Sequence, residues 1–216
     1  MPTVYGVNAS PFVRKVRVFL AEKGMSYDLD PVIPIGVTPE FRKISPLGKI
    51  PAFRDGDRTL ADSSVICAYL ERTHPVPPLY PHDPYDYARA LWFEEYADGG
   101  LVSVTGPKIF FQKVIAPRFF NRPTDEAVVQ QAVEEELPPM FDYLEGELGN
   151  REFLVGGAFS IADIAVCTHF VNLRHVGVLV DGTRWPKLAA YVARVHGRPS
   201  FNALIEEEAP AFGSAA

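Results

Sequence analysis

A proline-rich segment near residue 80 restricts what this chain can fold into more than any other feature. It runs His74-Pro75-Val76-Pro77-Pro78-Leu79-Tyr80-Pro81-His82-Asp83-Pro84. Its density of prolines excludes a continuous helix or a central strand. Strand and helix signals alternate before this segment, and strand signals nearly vanish after it. The sequence therefore predicts an α/β unit over residues 1–76, a linker over 77–85 and an all-helical unit over 86–216.

Charge and hydropathy exclude several classes of function. The net charge of −6, from 21 basic and 27 acidic side chains, argues against a general nucleic-acid binder. No apolar run approaches the roughly 18 residues that cross a bilayer. Arg14, Lys15 and Arg17 interrupt the only candidate for a signal peptide, so we expect a cytoplasmic protein with no membrane partner. These three basic residues are predicted to form the solvated face of the first helix.

Cysteine and histidine usage predicts neither a disulfide nor a metal site. Cys67 and Cys167 both fall within apolar helical patterns, and we expect buried, unpaired thiols. The five histidines show no paired spacing on a common helix face.

The first motif with chemical content is Ser10-Pro11-Phe12, which follows a short apolar run and precedes a helical pattern. This places the Ser10 hydroxyl at a helix N-terminus, where unpaired N–H groups and the helix dipole favour anions and lower the pKa of a thiol. Two interpretations remain open at this point. Ser10 either caps the helix or donates a hydrogen bond to a bound thiolate.

The second motif runs from Ser45 to Ser63 and reads as loop, strand, hairpin turn, strand and helix start. Pro51 lacks an N–H, which leaves the backbone of Ile50 able to pair with an extended peptide ligand. The Ile50–Pro51 peptide bond is of the kind that can be cis. Asp62 and Ser63 begin the next helix. In one interpretation these residues only cap the helix. In the other, Ser63 and the first helical N–H groups hold a carboxylate, and Asp62 accepts from an ammonium group. Glutathione has a zwitterionic end, a peptide middle and a thiol that would occupy these three places.

These motifs together resemble the cytosolic glutathione transferases, from the first strand to the closing helix. The start, Ser10-Pro11-Phe12 through Glu22-Lys23-Gly24, resembles the serine-type plant tau class, whereas Pro46-Leu47-Gly48-Lys49-Ile50-Pro51 and Leu60-Ala61-Asp62-Ser63 resemble phi-like and bacterial members. The resemblance implies a thioredoxin-like α/β domain followed by an all-α domain. It also implies the glutathione-site residues: Ser10 as the catalytic donor to the thiolate, and Lys49, Ile50, Pro51, Asp62 and Ser63 as glutathione-binding residues. The family usually has Glu where this chain has Asp62, one methylene shorter.

The same resemblance implies a second substrate and a partner. The phenylalanine-rich stretch 108–120 corresponds to the region that lines the electrophile site, to which we assign Phe12, Val104, Lys108 and Phe111. Core filling is the alternative role for these side chains.

A homodimer is implied across the helix with Tyr69 and Arg72 and the helix with Trp92. The expected function is detoxifying conjugation of glutathione to a small hydrophobic electrophile. The alternatives are a glutathione-dependent isomerase or peroxidase, and a non-catalytic binding protein.

Three further helix predictions concern the second half. Apolar spacing predicts one long helix from Asp125 to Leu148, strained near Pro138-Pro139. Ser160 and Asp163 have the spacing of a capping box, which makes Asp163 a structural rather than a catalytic acid. A helix following Trp185-Pro186 is expected to end at Gly197, and residues 213–216 are expected to fray.

Overall fold

The computed structural model describes residues 1–212 and divides the chain into two compact units, Met1–Tyr80 and the part that begins at Pro81. The boundary falls within the segment 77–85 that the sequence assigns to the linker. The expected fraying of residues 213–216 lies outside the described residues.

The first unit is built on a four-stranded sheet with the order β2-β1-β3-β4. Strand β1 pairs parallel with β2, and β3 pairs antiparallel with both β1 and β4. The strand bounds are β1 Thr3–Tyr5, β2 Asp28–Asp30, β3 Ala52–Asp55 and β4 Arg58–Ala61. The turn between β3 and β4 contains Gly56, whose φ of +58° is the left-handed conformation that the Asp55-Gly56 signal predicts.

Three helices pack with this sheet, and each begins at a side-chain cap. They are α1 Pro11–Glu22, α2 Pro39–Ile44 and α3 Ser63–Thr73, with caps at Ser10, Thr38 and Asp62 respectively. Proline occupies the first turn of α1 and α2, where its missing N–H costs no helical hydrogen bond. The predicted thioredoxin-like α/β unit is thus confirmed.

The prediction of a solvated basic face on α1 is wrong. Arg14 and Lys15 are 0% exposed and Arg17 is 5% exposed. The Arg17 Nε donates to the Tyr27 hydroxyl at 2.6 Å, and its guanidinium lies 5.7 Å from the centre of the same ring. Every residue from Val13 to Leu20 is buried, so other parts of the protein cover the polar side of α1 as well as its apolar side.

The second unit is all-helical, as predicted, and over residues 81–212 three of its segments are π-helical. Its α-helices are α4 Pro84–Glu95, α5 Val102–Val104, α6 Ala116–Phe120, α7 Glu126–Gln131, α8 Leu137–Leu148, α9 Ile161–His175, α10 Pro186–His196 and α11 Pro199–Glu208. The π-helical segments are Tyr96–Leu101, Thr105–Ile115 and Ala132–Glu136, and a 3₁₀ turn covers Ala209–Ala211. Helix α9 is the centre of the unit, since residues 161–173 are all buried.

The structure refines two of the helix predictions. The helix expected from Asp125 to Leu148 is continuous from Glu126 to Leu148, as α7, a π-helical segment and α8 in direct succession. Pro138 and Pro139 have no N–H to donate, and the π-helical segment interrupts the regular hydrogen-bond pattern just before them. Helix α10 ends at His196 as predicted, and a further helix, α11, begins at Pro199.

The capping box at the start of α9 is confirmed. The Asp163 carboxylate accepts from the N–H groups of Ser160 at 2.9 Å and Leu154 at 3.0 Å, and from the Tyr191 hydroxyl at 2.8 Å. Burial raises the pKa of Asp163 to about 6, although these hydrogen bonds oppose that rise. Cys67 and Cys167 are both buried, as predicted. Within residues 1–212, no helix has both the length and the apolar character needed to cross a bilayer.

Candidate functional site

Ser10 lies in the turn between β1 and α1 and caps the helix. Its Oγ accepts from the Val13 N–H at 3.4 Å, and its carbonyl accepts from the Arg14 N–H at 2.9 Å. Ser10 is only partly buried. A hydroxyl that accepts through a lone pair still has its hydrogen to donate, so the cap leaves a donor at the positive end of a 12-residue helix.

The Ile50–Pro51 peptide bond is cis, and it immediately precedes β3. The ladders of β3 begin at Ala52, so Ile50 lies just outside the paired register. Ile50 packs on a small core cluster formed by Tyr5, Phe41 and Ala52. Lys49 is exposed, and its carbonyl accepts from the Ser45 hydroxyl at 2.7 Å.

Gly6 allows the loop before the cis-proline to approach the start of α1. Its φ is +149°, and a Cβ atom placed there would lie 2.4 Å from a Val13 methyl group and 3.2 Å from the Ile50 Cβ. Only a residue without a side chain fits this gap. The structure thereby brings Ile50 close to the same turn of α1 that Ser10 caps.

Asp62 and Ser63 lie together at the N-terminus of α3. The Asp62 Oδ1 accepts from the N–H groups of Ser64 at 2.9 Å and Val65 at 3.3 Å, so the carboxylate caps its own helix. Asp62 has a φ of +81°, a conformation that is uncommon for a residue with a side chain. Ser63 is the first helical residue and is 2% exposed. Both hydrogen bonds of this cap use Oδ1.

Lys15 is a residue near this site that sequence reasoning missed. Its Nζ donates to the Ser64 Oγ at 2.9 Å, which joins α1 to the first turn of α3. A local pattern could not find this contact, because the two residues are 49 positions apart. The amphipathic pattern of α1 instead predicts that its polar side faces solvent.

The four residues assigned to the electrophile site are divided between the units. Phe12 belongs to α1 of the first unit, and Val104, Lys108 and Phe111 follow one another along α5 and the π-helical segment of the second. Val104 is 3% exposed. The Lys108 Nζ contacts the Glu136 carboxylate at 2.6 Å, and the Phe111 ring lies 5.9 Å from that of Phe120.

The arrangement in the first unit can bind an anionic, extended ligand. Two helix N-termini with hydroxyl groups, at Ser10 and Ser63, flank a loop whose backbone lies outside the sheet register. Among residues 1–212, no group of three or more His, Cys, Asp or Glu side chains could hold a metal ion.

Family comparison agrees with this combination of an α/β unit, a cis-proline loop and an all-helical unit. Residues 4–78 match the model of the glutathione S-transferase N-terminal domain, and residues 110–208 match that of the C-terminal domain. The two matches cover more than half of the chain. The chain therefore belongs to the cytosolic glutathione transferase family.

Individual relatives extend over nearly the whole length. A glutathione S-transferase of Hyoscyamus muticus is 30% identical and covers 94% of this chain and 97% of its own. The crystal structure of glutathione transferase F2 from Populus trichocarpa has a TM-score of 0.84 at 28% identity, covering 98% of this chain and all of that one. A stringent starvation protein A homolog of Pasteurella multocida is 26% identical, with coverage of 96% and 92%.

Proposed function

We propose that this protein is a cytoplasmic glutathione transferase that joins the glutathione thiolate to a small hydrophobic electrophile, in a detoxifying reaction. The observation that carries the proposal is the Ser10 hydroxyl at the N-terminus of α1, which accepts from the Val13 N–H and keeps its own hydrogen to donate. Family membership supports glutathione as the co-substrate.

In the proposed mechanism, Ser10 donates a hydrogen bond to the glutathione sulfur and the dipole of α1 adds to the stabilisation of the thiolate. Each unit by which the thiol pKa falls corresponds to about 1.4 kcal/mol. A fall of about two units from the usual 8.5 makes the thiolate the main form at neutral pH. The thiolate then attacks the electrophile, and its electron pair forms the new carbon–sulfur bond as the leaving group departs or the double bond accepts the electrons.

The rest of glutathione would extend from this point along the first unit. Ile50, with Lys49 and Pro51 beside it, would pair with the cysteinyl backbone. Ser63 and the first N–H groups of α3 would hold the γ-glutamyl carboxylate, with Asp62 Oδ2 accepting from the ammonium group. Phe12, Val104, Lys108 and Phe111 are proposed for the electrophile.

Thermal unfolding with glutathione tests the binding part of this proposal. A ligand present at about 100 times its dissociation constant stabilises a protein by roughly 2.7 kcal/mol, so millimolar glutathione should raise Tm by several degrees. The Ser63→Ala variant is the matched control and should show a smaller rise. No rise in the wild-type protein would contradict the proposal.

Two observations favour a second candidate, a binding protein without useful turnover. The Asp62 carboxylate already caps α3 through Oδ1, and the Lys108 ammonium is already paired with Glu136. An isomerase or a peroxidase would use the same thiol site and differ only in the second substrate. Assays with glutathione and, in turn, a panel of electrophiles, a maleyl-type isomerisation substrate and a hydroperoxide distinguish these functions. Glutathione binding without turnover of any of them would favour the binding protein.

We also propose a homodimer. In the first unit, α3 exposes Val65 by 50%, and in the second unit α4 exposes Tyr87 by 43% and Trp92 by 48%. Apolar helix faces of this kind are typical of protein–protein interfaces.

A further inference from the structure

A cavity of about 260 Å³ lies within the second unit, between the start of α4, the end of α8 and the loop that follows α8. Four charged side chains line it: Asp86 and Arg89 from α4, Glu147 from α8, and Arg151 from the loop. None of the residues that line it is among those assigned to glutathione or to the electrophile. The cavity is therefore a candidate binding site in its own right.

Glu147 holds both arginines of the cavity in place. The Arg89 Nη2 donates to the Glu147 Oε2, and the Arg89 guanidinium lies 5.0 Å from the centre of the Phe93 ring. The Arg151 Nη2 donates to the Glu147 carbonyl and lies 3.9 Å from the Glu147 Oε2. One carboxylate thus serves two guanidinium groups, each of which has five N–H groups. These contacts leave both positive charge and N–H donors for a ligand.

Asp86 contributes a carboxylate that has no direct partner. Over residues 1–212 it accepts no hydrogen bond and forms no ion pair, and it is only partly buried. Gly156 lies against it, since a Cβ atom at this glycine would be 3.2 Å from the Asp86 Oδ2. The missing side chain at Gly156 therefore keeps this carboxylate accessible.

We propose that this cavity binds a small zwitterion, an amino acid whose ammonium group and carboxylate are both free. Asp86 accepts from the ammonium group, and Arg89 and Arg151 donate to the carboxylate. An anion alone would meet the charge of Asp86, and a cation alone would meet the two guanidinium groups, so only a ligand with both charges matches the site. The volume is below that of pockets for drug-sized ligands. Tyr85 and Leu154 also line the cavity and carry no charge, which suits an apolar side chain.

Three related probes test the requirement for both charges. L-Leucine has both, leucinamide has only the ammonium group, and N-acetylleucine has only the carboxylate. Each is titrated into ¹⁵N-labelled protein near pH 6, where α-amino groups are protonated, and amide chemical shifts give the dissociation constant and the place of binding. We expect leucine to bind at about 1 mM and the other two at least tenfold more weakly. The shifts should change at Asp86, Arg151 and residues 154–156, and not at Ser10 or Ser63.

Two charge variants assign the two ends of the ligand. Asp86→Asn should weaken leucine about tenfold and leave N-acetylleucine unchanged. Arg151→Gln should weaken leucine about fivefold, because Arg89 remains, and leave leucinamide unchanged. Glu135→Gln and Arg122→Gln, at exposed positions, are the matched controls and should not alter binding. A purely structural role for Asp86 or Arg151 would weaken all three probes alike and would contradict the assignment.

A pair of adjacent glycines provides a test that changes no charge. Gly156 and Gly157 have φ values of +63° and +70°, so alanine is strained to a similar degree at either position. Only at Gly156 does the added methyl group meet the Asp86 carboxylate, because nothing lies within 4 Å of a Cβ atom at Gly157. Gly156→Ala should weaken leucine at least threefold, and Gly157→Ala should leave it unchanged.

Three results would overturn the inference: no binding of leucine up to about 20 mM, equal binding of the three probes, or shift changes confined to the surroundings of Ser10 and Ser63. Equal effects of the two glycine substitutions would also contradict it. None of these measurements uses glutathione, so their failure would leave the proposed function standing.

Discussion

At the scale of single residues, Ser10 shows how one hydroxyl can serve both the fold and the chemistry. The sequence left open whether it caps α1 or donates to a thiolate. The structure shows its Oγ accepting from the Val13 N–H at 3.4 Å. This bond uses a lone pair of the oxygen and not its hydrogen, so the two roles are compatible.

Asp62 caps α3 and, in the proposed function, also accepts from the ammonium group of glutathione. Two substitutions separate these roles. Asp62→Ala removes the cap, at a cost of about 1 kcal/mol, and places alanine at a φ that costs roughly 1 kcal/mol more. Asp62→Asn keeps an oxygen acceptor and a side chain that tolerates positive φ. We expect urea denaturation to show a loss of about 2 kcal/mol for Asp62→Ala and under about 0.5 kcal/mol for Asp62→Asn.

Calorimetry on the same variants tests the role of the Asp62 charge. Both should bind glutathione more weakly than the wild-type protein, since neither offers a carboxylate to the ammonium group. If Asp62→Asn bound glutathione as tightly as the wild-type protein, Asp62 would be a cap alone.

The features that could be predicted from sequence are those that a local motif determines. Ser10, the cis bond before Pro51 and the Ser160–Asp163 pair each follow from neighbours within a few positions. The contact between Lys15 and Ser64 joins residues 49 positions apart, and no local pattern contains it.

At the scale of elements, the start of α9 depends on one buried carboxylate. The pKa of Asp163 is raised by burial to about 6 in the folded protein, above its value of 3.8 when exposed. Between these two values the folded state binds more protons than the unfolded state, so the free energy of unfolding falls as pH rises. The contribution of this group is fully present below about pH 4 and is lost as pH passes 6.

Asp163→Asn tests this titration. The free energy of unfolding of the wild-type protein, minus that of the variant, should decrease between pH 4 and 6, by at most about 1.4 kcal/mol per pH unit. Denaturant unfolding of both proteins across that range provides the measurement. A difference that does not change with pH would show that the carboxylate stays ionised in the folded state.

The connector after α3 is held to the first unit by a buried ion pair. The Lys23 Nζ lies 2.6 Å from the Glu71 carboxylate and donates to the Pro77 carbonyl at 2.5 Å. The same carboxylate accepts from the Leu79 N–H at 3.2 Å. The Lys23 side chain is 0% exposed and that of Glu71 14%, so each depends on the other for charge compensation.

Lys23→Met should therefore lower the free energy of unfolding by about 3 kcal/mol, because it leaves a largely buried carboxylate without its cation. Residues 74–84 should also be cleaved faster in limited proteolysis. Lys43→Met, on the exposed face of α2, is the matched control. Equal protease resistance in the three proteins would show that the ion pair does not hold the connector.

At the scale of the whole molecule, the five-proline segment was sufficient to predict a change from α/β to all-α architecture. The finer division of the second half could not be predicted in the same way. The periodic pattern from Asp125 to Leu148 is the same for a regular α-helix and for a helix that contains the π-helical segment Ala132–Glu136. The choice between them depends on packing against other helices.

The proposed homodimer is a prediction at this scale. A charge on the exposed face of α4, as in Leu91→Glu, should convert a dimer to a monomer, because an unpaired carboxylate in an apolar interface is strongly unfavourable. Leu179→Glu is the matched control, since Leu179 is 71% exposed in a loop outside α4. Light scattering after gel filtration measures the mass. A monomeric wild-type protein, or a Leu91→Glu variant that stays dimeric, would contradict the proposed interface.

The central claim is that Ser10 stabilises a thiolate bound at the start of α1, and ultraviolet titration of the thiol of bound glutathione tests it most directly. The wild-type complex should titrate about two pH units below the usual 8.5 for a thiol, and the Ser10→Ala complex markedly closer to that value. Ser63→Ala, compared at saturating glutathione, should match the wild-type titration. Identical thiol pKa values in the wild-type and Ser10→Ala complexes would contradict the account.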